Sequence, residues 1–124
     1  MNLNIGMIGI GTIGSIHLRS LKQIQKENLL SEDGVNIKIR GVADIDENKL
    51  NFLRTTNPYN IQYFTSDPNE IIKDKGINII YITSPTKFHR DFYIQAAEEG
   101  KNIFCEKPIA FYLEDIREMI SIEK

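Results

Sequence analysis

The chain has 124 residues, 41% hydrophobic and 26% charged, proportions that fit one globular domain and exclude disordered or collagen-like classes. Lysine and arginine number 15 against 17 aspartates and glutamates, for a net charge of −2; the cations are scattered, which argues against nucleic acid or an anionic membrane as a partner. The one cysteine, Cys105, has no internal disulfide partner and suits a reducing cytoplasm.

No apolar stretch is long enough to span a bilayer. The N-terminal "MNLNIGMIGIG" lacks a basic leader and is broken by glycines, so no signal peptide is expected. No cysteine–histidine group has metal-ligand spacing, and no metal site is expected.

Short β-rich runs alternate with segments of helical period. Leu3 to Ile8 reads as a buried strand, and apolar Ile13, Ile16, Leu21 and Ile24 then suggest a helix. After the polar "KENLLSEDG" stretch, Val35 to Ala43 is a second strand, followed by a short helix capped by Asp46. "IQYF" is a brief third strand. Asp67, Pro68 and Glu70 form the start of the next helix: a cap, a proline at the first turn and an acid where a capping box needs one.

"INIIYIT" is a fourth strand, apolar throughout as if buried on both faces. The following helix carries Phe88, Phe92 and Ala96 and stops at Gly100. "NIFC", Asn102 to Cys105, is a fifth buried strand, and a last helix bears Leu113, Ile116, Met119 and Ile120 on one face. This alternation predicts an α/β fold: an open, doubly wound parallel sheet, strand order 3-2-1-4-5, with helices on both faces. The last helix runs to Lys124 with no stop signal, so we expect residues 1–124 to be one Rossmann domain of a longer polypeptide.

"GIGTIG", Gly9 to Gly14, lies between the first strand and the first helix. Gly9 permits the tight turn, Gly11 lets the backbone approach a pyrophosphate, and Gly14 lets helix and strand pack closely; Thr12 and Ile13 lie between them in the same cofactor loop. The helix start adds unpaired N–H groups and a positive dipole end. Asp44, at the end of the second strand, is placed to take the adenosine ribose hydroxyls and to repel a 2′-phosphate, and no arginine follows it, which favours NAD over NADP. The gap from Gly14 to Asp44 exceeds the usual ~20 residues, an excess assigned to the "KENLLSEDG" stretch. A methyltransferase shares a glycine-rich first loop and an acid after its second strand, but the full dinucleotide spacing of the glycines argues against it.

These motifs, with "SPTKFH" (Ser84 to His89) and "GKNIFCEKPIA" (Gly100 to Ala110), resemble the N-terminal domain of the glucose–fructose oxidoreductase/inositol dehydrogenase/rhizopine-catabolism (Gfo/Idh/MocA) family. The likeness covers essentially the whole chain. It departs at Ser84, where many members have threonine, and at Phe111 and Tyr112, which replace small polar residues before the last helix.

The resemblance implies an NAD(P)-dependent oxidoreductase acting on a sugar, inositol or related polyol, homo-oligomeric at full length. A second, substrate-binding domain would be absent here, leaving this chain inactive alone. It further implies that Glu106 hydrogen-bonds around the nicotinamide ribose and that Lys107 is the catalytic residue, its ammonium at the reacting oxygen. Pro108 restricts the backbone before it and permits a cis bond there. Ser84 and Pro85 line the cofactor loop. His89 has two readings of equal weight, a nicotinamide contact or a bond to a loop carbonyl. His17 serves helix packing as readily as a cofactor, and Cys105 is inert packing. The alternative function is a non-catalytic Rossmann module that senses nucleotide.

Overall fold

The computed structural model describes residues 1–27 and 31–123. The strands are β1 (Asn2–Ile8), β2 (Asn36–Ala43), β3 (Tyr63–Thr65), β4 (Ile79–Ile82) and β5 (Asn102–Cys105). The helices are α1 (Thr12–Glu27), α2 (Glu47–Thr56), α3 (Pro68–Ile72), α4 (His89–Glu98) and α5 (Leu113–Ser121), with single 3₁₀ turns at Ser31–Asp33 and Thr86–Phe88. All strand pairs are parallel and the order is β3-β2-β1-β4-β5, as the alternation predicts. Of the "KENLLSEDG" excess, α1 takes the part up to Glu27, residues 28–30 lie outside the described residues, and the 3₁₀ turn Ser31–Asp33 with Gly34 leads into β2.

Two cores sandwich the sheet. On one face Ile5, Met7, Ile39 and Val42 pack with Leu18 and Leu21 of α1 and Leu50 of α2; on the other Ile8, Ile80 and Ile82 pack with Ile71, Ile72 and Ala96. The buried stripe of α1 is Gly14, Leu18 and Leu21, a 4-then-3 spacing, whereas Ile13 and Ile16 are exposed. The expected stripe was displaced because its first member is a glycine, which carries no hydrophobic signal.

The helix starts follow their caps. Asp46 Oδ1 accepts from the N–H of Asn48 and Lys49, and Asp67 Oδ1 from that of Asn69 with Pro68 in the first turn. Tyr112 stands at the cap of α5 with no side-chain bond to offer, and the aromatic substitutions there accordingly leave that helix start without a side-chain partner. α4 begins at His89 and runs to Glu98, and Gly100 beyond it has φ +74°.

Strand β5 is half-exposed, not buried: it is the sheet edge, with Ile103 and Cys105 on a core and Phe104 stacked on Tyr81, ring centroids 4.7 Å apart. The last helix packs on α4 through buried Met119 and the contacts of Arg90 with Asp115 and Glu118, but Leu113 and Ile120 face outwards. With Ile109, Phe111 and Tyr112 they form an exposed apolar surface.

The end of the sheet where the strands begin is tied by charge. Asp74 accepts from Arg40 Nε (2.7 Å), Tyr63 Oη (2.7 Å) and the Gly76 N–H (2.8 Å), while Lys101 Nζ donates to the carbonyls of Asp74 and Ile77. Desolvation alone would raise the Asp74 pKa; the bonds from Arg40, Tyr63 and Gly76 outweigh it and hold it below the ordinary value. A carboxylate with a depressed folded pKa stabilises above its unfolded pKa of about 3.9 and loses that contribution as pH falls through the folded value. Asp74→Asn is therefore expected to lower Tm by several degrees at pH 7, with the gap to wild type closing below about pH 4 in thermal melts; a gap independent of pH would contradict this assignment.

Burial, with help from the neighbouring Glu106 charge, pushes the Cys105 thiol up to about 11. Thiolate is the reactive form, so Cys105 should react slowly with a disulfide reagent at neutral pH in the folded protein and rapidly in denaturant. Fast labelling of the native state would show an activated thiol instead.

Candidate functional site

The site forms where β2, β1 and β4 finish. Gly9, just past β1, has φ +98°, and a Cβ there would fall 2.6 Å from the Ser84 backbone N. Its N–H donates to the Ala43 carbonyl (2.8 Å) and its carbonyl accepts from Thr83 Oγ1 (2.6 Å). Three strand ends are thus drawn to one point where only glycine fits. Gly14 presses the first turn of α1 onto the same loop: a Cβ there would lie 2.2 Å from the Gly9 carbonyl oxygen. Gly11 is different. Its own chain neighbours apart, the one atom among the described residues within 4 Å of its Cβ position is Lys49 Nζ at 3.9 Å, so that flank of the loop is open.

Asp44 is locked in place by the loop it serves. Its Oδ2 accepts from the Ile10 N–H (2.9 Å) and its Oδ1 from the Asp46 N–H (2.8 Å). Each carboxylate oxygen keeps acceptor capacity for another donor.

A cleft of about 560 Å³ runs over these strand ends. Gly9, Gly11, Thr12 and Ile13 line one side, Asp44, Ile45 and Lys49 another, and Ser84 and Pro85 a third. Phe88 and Phe92, ring centroids 6.1 Å apart, line it as well. The placement beyond the carboxyl ends of parallel strands, at the reversal of strand order between β1 and β4, is the general ligand position in open α/β sheets.

Glu106 and Lys107 follow β5 at the same rim. The Glu106 N–H donates to the Ile82 carbonyl (3.0 Å), continuing the β4–β5 pairing. Its Oε2 meets Nε2 of His17, on the second turn of α1, at 2.8 Å. That bond above all, with the Lys107 N–H, holds the Glu106 carboxyl below its ordinary pKa against partial desolvation. The His17 ring sits edge-on to Phe104 at 4.9 Å and to Tyr81 at 5.7 Å. His17 thus joins α1 to the strand-five corner, more than packing alone. Lys107 is exposed, and the bond between it and Pro108 is cis.

His89 occupies a place that corrects one of its two expected roles. Its side chain is 1% exposed, and its ring nitrogens meet the carbonyls of Ser84 (Nε2, 2.8 Å), Pro108 (Nδ1, 3.0 Å) and Ile109 (Nδ1, 3.2 Å). Both nitrogens are engaged with backbone, so the ring does not present a polar atom to the cleft. The loop-carbonyl reading is the one the geometry realises.

The cleft also holds residues that the sequence did not single out. Phe88 and Phe92, members of the helical repeat read from the sequence, wall the cleft, Phe92 also packing against the core, while Ala96 is fully buried. Lys49 is the one lysine or arginine lining the cleft among the described residues, reaching it from the first turn of α2. A lysine there opposes the helix dipole, which was the available signal.

Two features match a dinucleotide. The open flank of Gly11 lies beside the first turn of α1, where backbone N–H groups can take phosphate oxygens. Ser84 Oγ, buried at the cleft wall, has no hydrogen-bond partner among the described residues, a rare condition for a polar atom and one that calls for a partner not present here.

Relatives have the same organisation. Residues 3–124 match the model of an oxidoreductase family described as having an NAD-binding Rossmann fold. The chain is 33% identical over 116 residues to the uncharacterized oxidoreductase YrbE of Bacillus subtilis (94% of this chain, 30% of that one). It is 30% identical over 122 residues to myo-inositol 2-dehydrogenase of Thermotoga maritima (98% and 33%). A solved structure of levoglucosan dehydrogenase in complex with NADH and levoglucosan superposes with a TM-score of 0.86 at 28% identity, covering 98% of this chain and 32% of that one. The chain therefore spans about a third of the length of the relatives it matches. The glycine loop and Asp44 line the cleft, whereas Glu106, Lys107 and Pro108 lie beyond β5 outside its lining; with that family model matched over residues 3–124 and the strand order β3-β2-β1-β4-β5, this chain belongs to the Gfo/Idh/MocA oxidoreductase family.

Proposed function

We propose that this chain is the NAD-binding part of a longer dehydrogenase that moves hydride between NAD and a carbinol carbon of a sugar, inositol or related polyol. The observation that carries it is the open flank of Gly11 at the start of α1, in one cleft with the Asp44 carboxylate and the partnerless Ser84 hydroxyl. Gly11, Thr12 and Ile13 would hold the diphosphate through backbone N–H groups, and Asp44 the adenosine ribose. Exposed Ile45, with Phe88 and Phe92, offers apolar surface for a heteroaromatic ring. Glu106, its carboxylate kept charged and fixed by His17, is suited to accept ribose hydroxyls at the other end.

The bound cofactor supplies the hydride donor or acceptor. What the chain must supply is control of the substrate oxygen, which loses a proton as its carbon loses hydride. Lys107, exposed at the rim beside Glu106, is the side chain we assign to that oxygen, stabilising its developing charge or relaying its proton. The substrate contacts would come from a second domain, because the relatives are about three times as long. The apolar surface of Ile109, Phe111, Tyr112, Leu113 and Ile120, next to Lys107, is where such a domain would rest.

Two measurements test this. Fluorescence titration should show NADH binding more tightly than NADPH, because Asp44 opposes a 2′-phosphate; Asp44→Asn should narrow that preference by about tenfold. An unchanged NADH/NADPH ratio in a variant that still binds would remove Asp44 from cofactor selection. In the full-length protein, with myo-inositol and levoglucosan as probe substrates, Lys107→Met should reduce kcat by about 100- to 10,000-fold while NADH affinity stays nearly constant. Full turnover without Lys107 would overturn its assignment.

A further inference from the structure

His89 is the one buried histidine, and the reaction proposed above gives it no task. It lies at the first position of α4, yet its ring points into the gap between two loops. One is Thr83 to Pro85, which walls the cleft through Ser84 and Pro85; the other is the segment after β5 that carries Lys107. These loops come from different strands, and β4–β5 pairing ends at Ile82 and Cys105, with one further bond from the Glu106 N–H. Beyond that bond, the imidazole of His89 is the connection: Nε2 meets the Ser84 carbonyl at 2.8 Å, and Nδ1 meets those of Pro108 and Ile109 at 3.0 and 3.2 Å.

We propose that His89 is a positioning residue for Lys107, a brace that holds the Lys107–Ile109 segment against the Ser84 wall of the cleft. This rests on the assignment of Lys107 above. The chemistry of the ring suits the task. Carbonyl oxygens only accept, and the imidazole is a rigid ring whose two nitrogens lie on opposite edges, one toward each loop, so an N–H donor is held between them at fixed spacing. Buried at 1%, the bonds face no competition from water, and an unpaired carbonyl left in that gap would be costly.

The consequence for chemistry is geometric. Lys107 is exposed and has no fixed partner of its own among the described residues, so the direction of its side chain depends on where its backbone is held. Displacement of a reacting group by about 1 Å can cost about 100-fold in rate. The glycine loop and Asp44, proposed above for the diphosphate and the adenosine ribose, make no bond to His89; Glu106 is held by His17, and His89 touches Ser84 only at its carbonyl, so the cofactor keeps most of its contacts without the ring.

The test uses His89→Gln, which can still donate to one loop, and His89→Phe, which fills the space and donates to neither. Hydrogen exchange, which needs no substrate, reads the brace: amides of residues 106–111 should exchange faster in both variants, by on the order of tenfold or more in His89→Phe, while the core strands keep their protection. In the full-length protein, with myo-inositol and levoglucosan as probes, kcat should fall by about 100-fold in His89→Phe and less in His89→Gln, with NADH affinity within about threefold of wild type. In a Lys107→Met background, His89→Gln should cost no further kcat.

Unchanged exchange in either folded variant overturns the brace. Loosened loops with unchanged kcat overturn positioning, as does a further loss of kcat in the Lys107→Met background. If His89→Phe does not fold, His89→Gln alone decides each of these. A wild-type protein that binds NADH but turns over neither probe points instead at the proposed reaction, and the exchange experiment still decides the brace.

Discussion

Gly9 is the constraint on which the site depends. Its amide is bonded to the end of β2, its carbonyl to Thr83 at the end of β4, and its α-carbon lies against the Ser84 backbone. No side chain can enter that contact, so the three central strands close together before their loops diverge. The gap that opens above them is set by this closeness. Asp44 adds a lateral tie through Ile10, so the acid proposed for the ribose is also bonded to the glycine loop proposed for the phosphates.

Much of this was legible in the sequence because glycine, aspartate and proline act locally. The turn at Gly9, the cap at Asp46, the start of α3 at Asp67 and Pro68, and the strand order all follow from residues whose backbone preferences or caps are strong. Side-chain placement was less legible. Hydrophobic period alone cannot separate an apolar residue that lines a cleft from one that fills a core: Phe88 lines the cleft, and Ile13 and Ile16 of the α1 repeat are exposed. β5 read as buried because three of its four residues, Ile103 to Cys105, are apolar; that no strand among the described residues pairs with its outer edge is decided by the rest of the fold.

Long-range partners were invisible for a similar reason. His17 and Glu106 are 89 residues apart, and His89 and Pro108 are 19 apart on different elements. Neither pair shares a helical or strand repeat that would announce it. Both join a helix start to the segment after β5, where the backbone has left the sheet and has few bonds of its own. Side-chain bonds do there what strand pairing does inside the sheet.

The two ends of the sheet are therefore held by different means. At the end where strands begin, charges and carbonyls are matched: Asp74 takes three donors and Lys101 takes two carbonyls. At the end where strands finish, groups are left wanting: Gly11 has an open flank, Ser84 Oγ has no partner, and Lys49 stands at a helix start that disfavours its charge. Local rules broken together at one rim fit the ligand site proposed there. The satisfied end supplies the stability that lets the other remain incomplete, and removing an interaction there should weaken folding before it touches the cleft.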